Sequence, residues 1–171
     1  MAFGEGNYAS GKRSFVAGKG NSAGYISAAF GNGNSARGLY GFAAGSGNDI
    51  ATSITGGAVF GTNNKVCSNS SFVEGAFNTD GYPEKSKKSM EMANHIEGTY
   101  NKIENGTLGC NHIEGGYEKQ EGEDYSNIIL RGSLLNHVEG GRNTVSGSYN
   151  RVGGHENIVS GQKLNIFGMN I

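Results

Sequence analysis

Three pairs of side chains have the types and the spacing needed to bind a metal ion or to transfer a proton. Each pair is a histidine followed two residues later by a glutamate: His95 and Glu97, His112 and Glu114, and His137 and Glu139. Residues two apart on a β-strand point to the same face, and imidazole with carboxylate is a known ligand set for zinc. A structural ladder of histidine–glutamate hydrogen bonds is our preferred interpretation, with a metal or anion site as the alternative. If the ladder is buried, stability should depend on pH between about 6 and 7.

Two other motifs resemble binding loops but are better explained as turns. Four Gly-x-Gly-Asn words look like phosphate-binding loops: 4–7, 18–21, 31–34 and 45–48. Four copies at a regular spacing cannot each begin a nucleotide-binding helix. Calcium-binding rolls need repeated aspartates in a glycine-rich nonapeptide, and the only aspartates are Asp49, Asp80 and Asp124. We therefore predict no catalytic residue, no metal and no cofactor.

These motifs belong to a repeat that runs through the whole chain. A short strand-like word ends in glycine eleven times, at Gly4, Gly18, Gly31, Gly45, Gly61, Gly75, Gly98, Gly115, Gly140, Gly154 and Gly168. Successive glycines, called anchors below, are 14, 13, 14, 16, 14, 23, 17, 25, 14 and 14 residues apart. A period of 14 is too short for a helix pair or a propeller blade, but it suits one coil of a β-solenoid.

Each repeat is predicted to contain two short strands and two tight turns. Asparagine stands three residues after the anchor in nine of ten complete repeats, with Glu118 as the exception: Asn7, Asn21, Asn34, Asn48, Asn64, Asn78, Asn101, Asn143 and Asn157. Asparagine tolerates the left-handed conformation, so we assign these residues to a corner of the coil. The residue two before each anchor is aliphatic, and we expect it to fill the interior together with the residue two after each asparagine.

The residues one and three before the anchor point the other way and carry phenylalanine with alanine in the first half of the chain. A column of phenylalanines on the outside of a thin solenoid is a large apolar patch, which monomers rarely expose. We therefore predict that this flank, with the histidine–glutamate pairs that continue it, is buried between subunits. The predicted interface comprises Phe15, Phe30, Phe42, Phe60, Phe72, His95, Glu97, His112, Glu114, His137 and Glu139.

At this point a family resemblance is visible. The segments 15–24 (FVAGKGNSAG) and 34–38 (NSARG) resemble the head repeat of trimeric autotransporter adhesins, the YadA-like left-handed parallel β-roll. The words NHIEG at 94–98 and 111–115, and NHVEG at 136–140, are similar to the His-x-Glu-Gly variant found in tail-fibre proteins of phages and prophages. The resemblance implies an obligate homotrimer used as a rigid head that meets a target surface. The neck motif, coiled-coil stalk and membrane anchor of the adhesins have no counterpart in the sequence.

Composition and charge exclude several partners. The 31 glycines in 171 residues are about 18%, more than twice the usual share, and apolar residues make up 35%. The formal charge of −1 gives no field that attracts nucleic acid. The sequence has no apolar run long enough for a membrane span, and it begins without the features of a signal peptide. We predict neither a nucleic-acid partner nor insertion of this segment into a membrane.

Charge is concentrated in two segments that interrupt the repeat, near 79–93 and 116–135. Only 8 of the 29 charged residues precede position 80. Insertions in solenoids form surface loops, often on the binding face, and residues 86–93 are a candidate for one or two helical turns. The predicted receptor-binding residues are Tyr82, Lys85, Lys87, Lys88, Tyr117, Asp124 and Tyr125. Solvated loops without a binding role are the alternative.

Together these observations predict an all-β chain, 1–171, that forms a single homotrimeric array of 14-residue coils with short loop or helical insertions. The resemblance implies a non-enzymatic attachment head or shaft that binds a cell-surface glycan or protein of the host. We favour a phage or prophage tail fibre, hence location on the virion tail, and a bacterial adhesin on the cell surface is the alternative. A structural spacer and a depolymerase of surface glycans are further alternatives.

Overall fold

The chain forms a solenoid of parallel β-strands. The computed structural model describes residues 1–52, 54–81, 93–104, 109–116 and 126–171. Within these ranges every regular element is a strand, and no helix there is long and apolar enough to cross a membrane. The strands stack in about 10 turns, about 14 residues apart, which at about 4.8 Å per layer makes a rod about 50 Å long. The predicted all-β solenoid is confirmed.

Two sheets make up the solenoid, and all their pairings are parallel. The first, sheet A, has eleven strands: β1 (Ala2–Glu5), β3 (Phe15–Lys19), β5 (Ala28–Asn32), β7 (Phe42–Ser46), β9 (Ala58–Thr62), β11 (Phe72–Ala76), β13 (His95–Thr99), β15 (His112–Gly115), β17 (His137–Gly141), β19 (Arg151–His155) and β21 (Asn165–Met169). The second, sheet B, has ten: β2 (Tyr8–Ala9), β4 (Ser22–Ala23), β6 (Ser35–Ala36), β8 (Asp49–Ile50), β10 (Lys65–Val66), β12 (Thr79–Asp80), β14 (Lys102–Ile103), β16 (Ile128–Ile129), β18 (Thr144–Ser148) and β20 (Ile158–Gln162). Each strand pairs with the corresponding strand of the next coil, as predicted.

The interior is filled by one column of aliphatic side chains from each sheet. In sheet A the residues two before the anchors are fully buried from Val16 to Val152, whereas Ala2 and Ile166 of the terminal coils are not. In sheet B the residues two after the corner asparagines are likewise buried from Ala23 onward. One sheet B position departs from this pattern, because Asp80 is buried there and accepts hydrogen bonds from Ser68 Oγ and Asn94 Nδ2 at 3.2 and 2.9 Å.

The anchors must be glycine for two reasons. Gly18 has a φ of 117° and Gly31 one of 108°, a region that L side chains rarely adopt. A Cβ on Gly18 would also overlap the carbonyl oxygen of Gly31 in the next coil. The same clash recurs at the anchors from Gly4 to Gly154, so the close stacking of coils explains the periodic glycine.

The first corner, between sheet A and sheet B, differs from the sequence prediction. The left-handed residue is the one before the asparagine and not the asparagine itself, as at Gly33 with φ 65°, Phe77 with φ 55° and Tyr100 with φ 55°. No corner asparagine of the described chain has a positive φ. The prediction was wrong because these asparagines contribute through their side chains, which point inward and form hydrogen bonds.

Each corner asparagine links three coils. Asn48 is fully buried, and its Nδ2 donates to the carbonyl oxygens of Ala44 and Gly61 at 3.0 and 2.8 Å. Its Oδ1 accepts from the backbone N–H and the side-chain amide of Asn64, both at 3.1 Å. Asn34 Oδ1 accepts from Asn48 in the same way. The side chains therefore form an amide ladder parallel to the solenoid axis.

The ladder residue of the coil that begins at Gly115 is Asn127, and Glu118 was the exception to the sequence pattern there. Glu118 itself lies outside the described residues, whereas Asn127 occupies the corner position of that coil. Asn127 Nδ2 donates to Asn101 Oδ1 at 3.0 Å and to the Gly140 carbonyl at 2.8 Å. Its Oδ1 accepts from Asn143. The sequence pattern left this coil without a corner asparagine because residues 116–126 separate the anchor, Gly115, from Asn127.

A second amide ladder, absent from the sequence prediction, begins halfway along the solenoid. It lies at the second corner, where the chain passes from sheet B to the next strand of sheet A. Asn111 donates from N and Nδ2 to Asn94 Oδ1 at 3.1 and 3.3 Å. Asn136 donates likewise to Asn111 Oδ1, and Asn150 N to Asn136 Oδ1. The preceding coils carry Ser27 and other small residues at this position. Both corners are thus locked by asparagine only in the second half of the chain.

The predicted insertions are shorter than proposed. Strand β12 occupies 79–80 and strand β16 occupies 128–129, so both belong to regular coils. Ala93, the last residue of the candidate helical segment, has a φ of 57° and begins a coil at its second corner. The rest of that segment, 86–92, lies outside the described residues.

We expect the amide ladder to be essential for stability. Asn48→Asp places a carboxylate against the carbonyl oxygens of Ala44 and Gly61, and it should lower the free energy of unfolding by about 3 kcal/mol or more. Asn32→Asp, at an exposed strand position, is the matched control and should change it by less than about 0.5 kcal/mol. Thermal and urea denaturation followed by circular dichroism measure both. Equal midpoints for the two variants would contradict this role.

Candidate functional site

The outer flank of sheet A carries a continuous row of aromatic rings. Phe15 lies beside Ala28 in the next coil, and Ala17 lies beside Phe30. Phenylalanine thus alternates between the positions three and one before the anchor, and alanine occupies the other of these two positions. This alternation lets rings on strands about 4.8 Å apart interleave without overlap.

The rings contact each other from one end of the row to the other. The row begins at Phe3, which the sequence prediction omitted, and continues through Phe15, Phe30, Phe42, Phe60 and Phe72. Successive centroids are 5.3–5.7 Å apart with tilted planes, within the range of favourable aromatic pairs. Four of the rings are half-buried by their neighbours, while Phe3 and Phe60 are 53% and 36% exposed. We call this row the aromatic ladder.

Imidazole rings continue the aromatic ladder into the second half of the solenoid. Phe72 meets His95 edge to face at 5.2 Å. His95 and His112 stack in parallel at 4.7 Å, and His112 and His137 follow at 4.7 Å with a 58° tilt. The flank therefore changes from phenylalanine to histidine without interruption of the row, because Phe72 and the histidines all occupy the position three before the anchor.

A column of carboxylates runs beside the imidazoles. Glu74, Glu97, Glu114 and Glu139 are paired in register on consecutive strands, and all four are exposed. Like charges directly opposite each other on a sheet are unfavourable, and exposure to solvent reduces the repulsion through screening. This part of the flank is negatively charged, in contrast to the apolar first half.

The expected hydrogen bonds between histidine and glutamate are not formed. His137 Nε2 and Glu139 Oε2 are 4.0 Å apart, too far for a hydrogen bond. Nε2 of His112 and Nε2 of His137 are buried and have no hydrogen-bond partner. The imidazole rings contact each other along the solenoid axis instead. The ladder is therefore one of ring stacking.

Burial and like charge both disfavour protonation of the middle histidine. The pKa of His112 is lowered, first by burial and then by His137 and His95, while Glu114 and Glu97 act in the opposite direction. Within the described part of the chain, no three histidine, cysteine, aspartate or glutamate residues are arranged to hold a metal ion. What the flank offers is an aromatic surface, apolar at one end and acidic at the other.

The predicted receptor-binding residues fall in segments that the structure does not describe. Tyr82, Lys85, Lys87 and Lys88 lie in 82–92, and Tyr117, Asp124 and Tyr125 lie in 117–125. The described residues do show where these segments join the solenoid. The first follows β12 and ends before β13, at the second corner, whereas the other follows β15 and ends before β16, at the first corner. The two insertions therefore start from opposite edges.

Sequence reasoning also missed a pair of rings at the first corner, the exposed Phe77 and the half-buried Tyr100. Phe77 and Tyr100 stack at 4.8 Å with an interplanar angle of 5°. Each stands two residues after its anchor, Gly75 and Gly98, so alignment of the repeats contains the signal.

Comparison with known protein families, with curated proteins and with solved structures finds no match in any of the three. The site is therefore interpreted from its own residues.

The lowered pKa of His112 predicts that acid destabilises the folded chain. An unfolded histidine titrates near 6.5, so below that pH the unfolded chain binds a proton that the folded chain resists. The melting temperature should be constant above about pH 7 and fall as the pH is lowered through 6.5. His112→Phe continues the phenylalanine row and should reduce this fall. His155→Phe, off the ladder, is the control, and an identical pH profile for all three proteins would refute the assignment.

Proposed function

We propose that the chain forms a homotrimeric, left-handed β-roll that is the head or shaft of a host-attachment appendage, most consistent with a phage or prophage tail fibre. The observation that carries the proposal is the aromatic ladder. Six phenylalanines in one row leave a continuous strip of apolar surface on the outside of the solenoid, and exposed apolar area of this kind favours association.

The shape of the row supports association of parallel copies. It follows the solenoid axis, so copies that turn their rows inward and share an axis cover them along their whole length. The alanines between the rings are small enough for a facing subunit to approach closely. Three copies and left-handed winding are what the resemblance to YadA-like heads implies. In such a trimer the His95, His112 and His137 row would lie in the same interface.

The rest of the chain supports attachment. In the described part of the chain the interior of the rod is filled by inward columns that are aliphatic except at Asp80, and the residues that vary most between coils lie outside. The insertions with Tyr82, Lys85, Lys87 and Lys88, and with Tyr117, Asp124 and Tyr125, start from opposite edges. We assign receptor contact, with a cell-surface glycan or protein, to these insertions. The carrier is a virion tail, or a bacterial surface in the adhesin alternative.

A structural spacer is the second candidate. The unbroken amide ladder from Asn7 to Asn157 favours it, because such a ladder resists bending along the rod. The two functions differ in whether the isolated chain binds cells.

The trimer can be tested by mass. Light scattering on the purified chain should give about three times 17.8 kDa. Phe30→Asp with Phe60→Asp puts charges into the aromatic ladder and should cause dissociation or aggregation. Tyr40→Asp with Tyr149→Asp, at corner residues that are 56% and 53% exposed, is the control and should leave the mass unchanged. A monomeric wild-type chain, or a trimer that tolerates the ladder substitutions, would overturn this interface.

Attachment can be tested on intact cells. Fluorescently labelled chain should bind saturably to some strains of a Gram-negative and Gram-positive panel. A variant with serine at Tyr82, Lys85, Lys87 and Lys88, and another with serine at Tyr117, Asp124 and Tyr125, should show which insertion is needed while keeping the wild-type mass. Absence of binding to every strain would favour the spacer. Release of reducing ends from purified surface glycan with sustained turnover would replace attachment by a depolymerase activity.

A further inference from the structure

A group of basic and aromatic side chains lies at the second corner of the first three coils. It comprises Lys12 and Arg13 in the first coil, Tyr25 in the second and Tyr40 in the third, and is here called the basic corner. All four residues are exposed, Tyr25 by 49% and Tyr40 by 56%. None of them belongs to the aromatic ladder or to the buried core. The basic corner is therefore a separate surface of the solenoid.

The stacking of the coils places these residues side by side. Ile26 N donates to the Lys12 carbonyl at 3.0 Å. Tyr40 N donates to the Tyr25 carbonyl at 3.4 Å. Arg13, Ile26 and Tyr40 share the left-handed corner position, with φ values of 61°, 51° and 59°. Two layers of about 4.8 Å separate the first coil from the third, so the basic corner extends about 10 Å along the solenoid axis.

The fold does not require tyrosine at these two positions. The fourth coil carries Thr55 at the position of Tyr25, and it carries Gly56, with φ 71°, at the position of Tyr40. Large residues are disfavoured in the left-handed region. Neither tyrosine ring is paired with another aromatic ring of the described chain. An exposed ring held where glycine would suffice indicates a role in binding.

The positive charge of the basic corner is not neutralised within the described chain. Residues 1–57 contain four basic residues and two acidic ones. Each acidic residue pairs with a basic residue outside the basic corner: Glu5 with Lys19 at 3.3 Å, and Asp49 with Arg37 at 2.6 Å. Lys12 and Arg13 form no ion pair with any described residue. The excess positive charge of this part of the solenoid is therefore located at the basic corner.

We propose that the basic corner binds a glycan that carries carboxylate groups. The guanidinium of Arg13 matches the geometry of a carboxylate, and Lys12 adds a second cation beside it. The C–H face of a sugar ring has a partial positive charge, which suits the negative face of a tyrosine ring. The tyrosine hydroxyls can exchange hydrogen bonds with those of the sugar. The inference rests on the proposed attachment function and adds a contact surface on the solenoid itself, apart from the insertions.

The experiment is titration calorimetry of the full chain with hexasaccharides of galacturonate, glucuronate and mannuronate, each compared with its methyl ester. At least one acid form should bind. Its methyl ester keeps the sugar rings but loses the charge, so it should bind at least about tenfold more weakly. Added salt should weaken the binding of the acid form. Hexaglutamate, an acidic peptide without a sugar face, should not bind.

One pair of variants tests the contribution of charge. Lys12→Gln with Arg13→Gln should lower the affinity for the acid hexasaccharide at least about tenfold. Lys19→Gln with Arg142→Gln is the matched control, because it removes the same charge from residues that pair with glutamates at the first corner. The control should keep the wild-type affinity. Both variants should keep the wild-type mass in light scattering.

A second pair of variants tests the contribution of the rings. Tyr25→Thr with Tyr40→Gly introduces the residues of the fourth coil, so the melting temperature should stay within about 3 °C of wild type. The affinity should fall at least about tenfold. Tyr149→Gly removes a 53% exposed ring with φ 63° from the same corner far along the rod, and it should keep the wild-type affinity.

Three results would overturn the proposal: no binding of any acid hexasaccharide, equal affinity for an acid form and its methyl ester, or equal affinity of the wild type and the basic-corner variants. Binding of hexaglutamate as tight as that of the glycan would make the corner a general polyanion surface and would also contradict it. Binding of labelled chain to intact cells separates this proposal from the broader one. If the chain binds cells but no acid hexasaccharide, attachment holds and the basic corner fails. If it binds the hexasaccharide but no cells, the basic corner holds and attachment fails.

Discussion

The buried side-chain amides at the corners hold successive coils in register. A coil of about 14 residues has an interior only one side chain wide from each sheet, so hydrophobic burial per coil is small. Each corner asparagine compensates by donating to carbonyls of its own coil and of the next, and by accepting from the following asparagine. Because these bonds are buried, their loss leaves unsatisfied polar groups that water cannot reach. The glycine anchors complete the constraint, since any Cβ there would keep the coils apart.

Close stacking also explains why the chemistry of this protein lies on its outside. Every residue type that recurs at one position in consecutive coils becomes a column with a spacing of about 4.8 Å. Alternating phenylalanine and alanine then produces an interleaved row of rings, histidine produces stacked imidazoles, and glutamate produces a line of negative charge. The change from phenylalanine to histidine and glutamate near β13 divides one flank into an apolar half and an acidic half. In the proposed trimer, association through this flank would combine hydrophobic burial in one half with charge and protonation in the other.

The corners determine where further groups can be added. A left-handed residue at the first corner points its side chain away from the core, so aromatic residues at Phe77 and Tyr100 are tolerated without disturbing the interior. The insertions enter at the corners for the same reason, since a strand cannot be lengthened without loss of register. A rod with a fixed core and variable corners is a suitable scaffold for recognition of an extended, repetitive ligand such as a surface glycan.

The sequence by itself determined the period, the two strands per coil, the identity of the inward columns and the outward direction of the flank. In a strict repeat, residues one period apart occupy the same position in consecutive coils, so sequence spacing specifies which residues are neighbours. Four features were decided only by the tertiary structure: Asn127 in place of Glu118, the left-handed residue before each corner asparagine, the second amide ladder, and imidazole stacking in place of histidine–glutamate hydrogen bonds. Each depends on contacts between residues 14 to 26 positions apart in sequence. Insertions change the number of residues between consecutive anchors but leave the stacking of the coils unchanged. The partner of a side chain beside an insertion is therefore determined by the neighbouring coil and not by the repeat period.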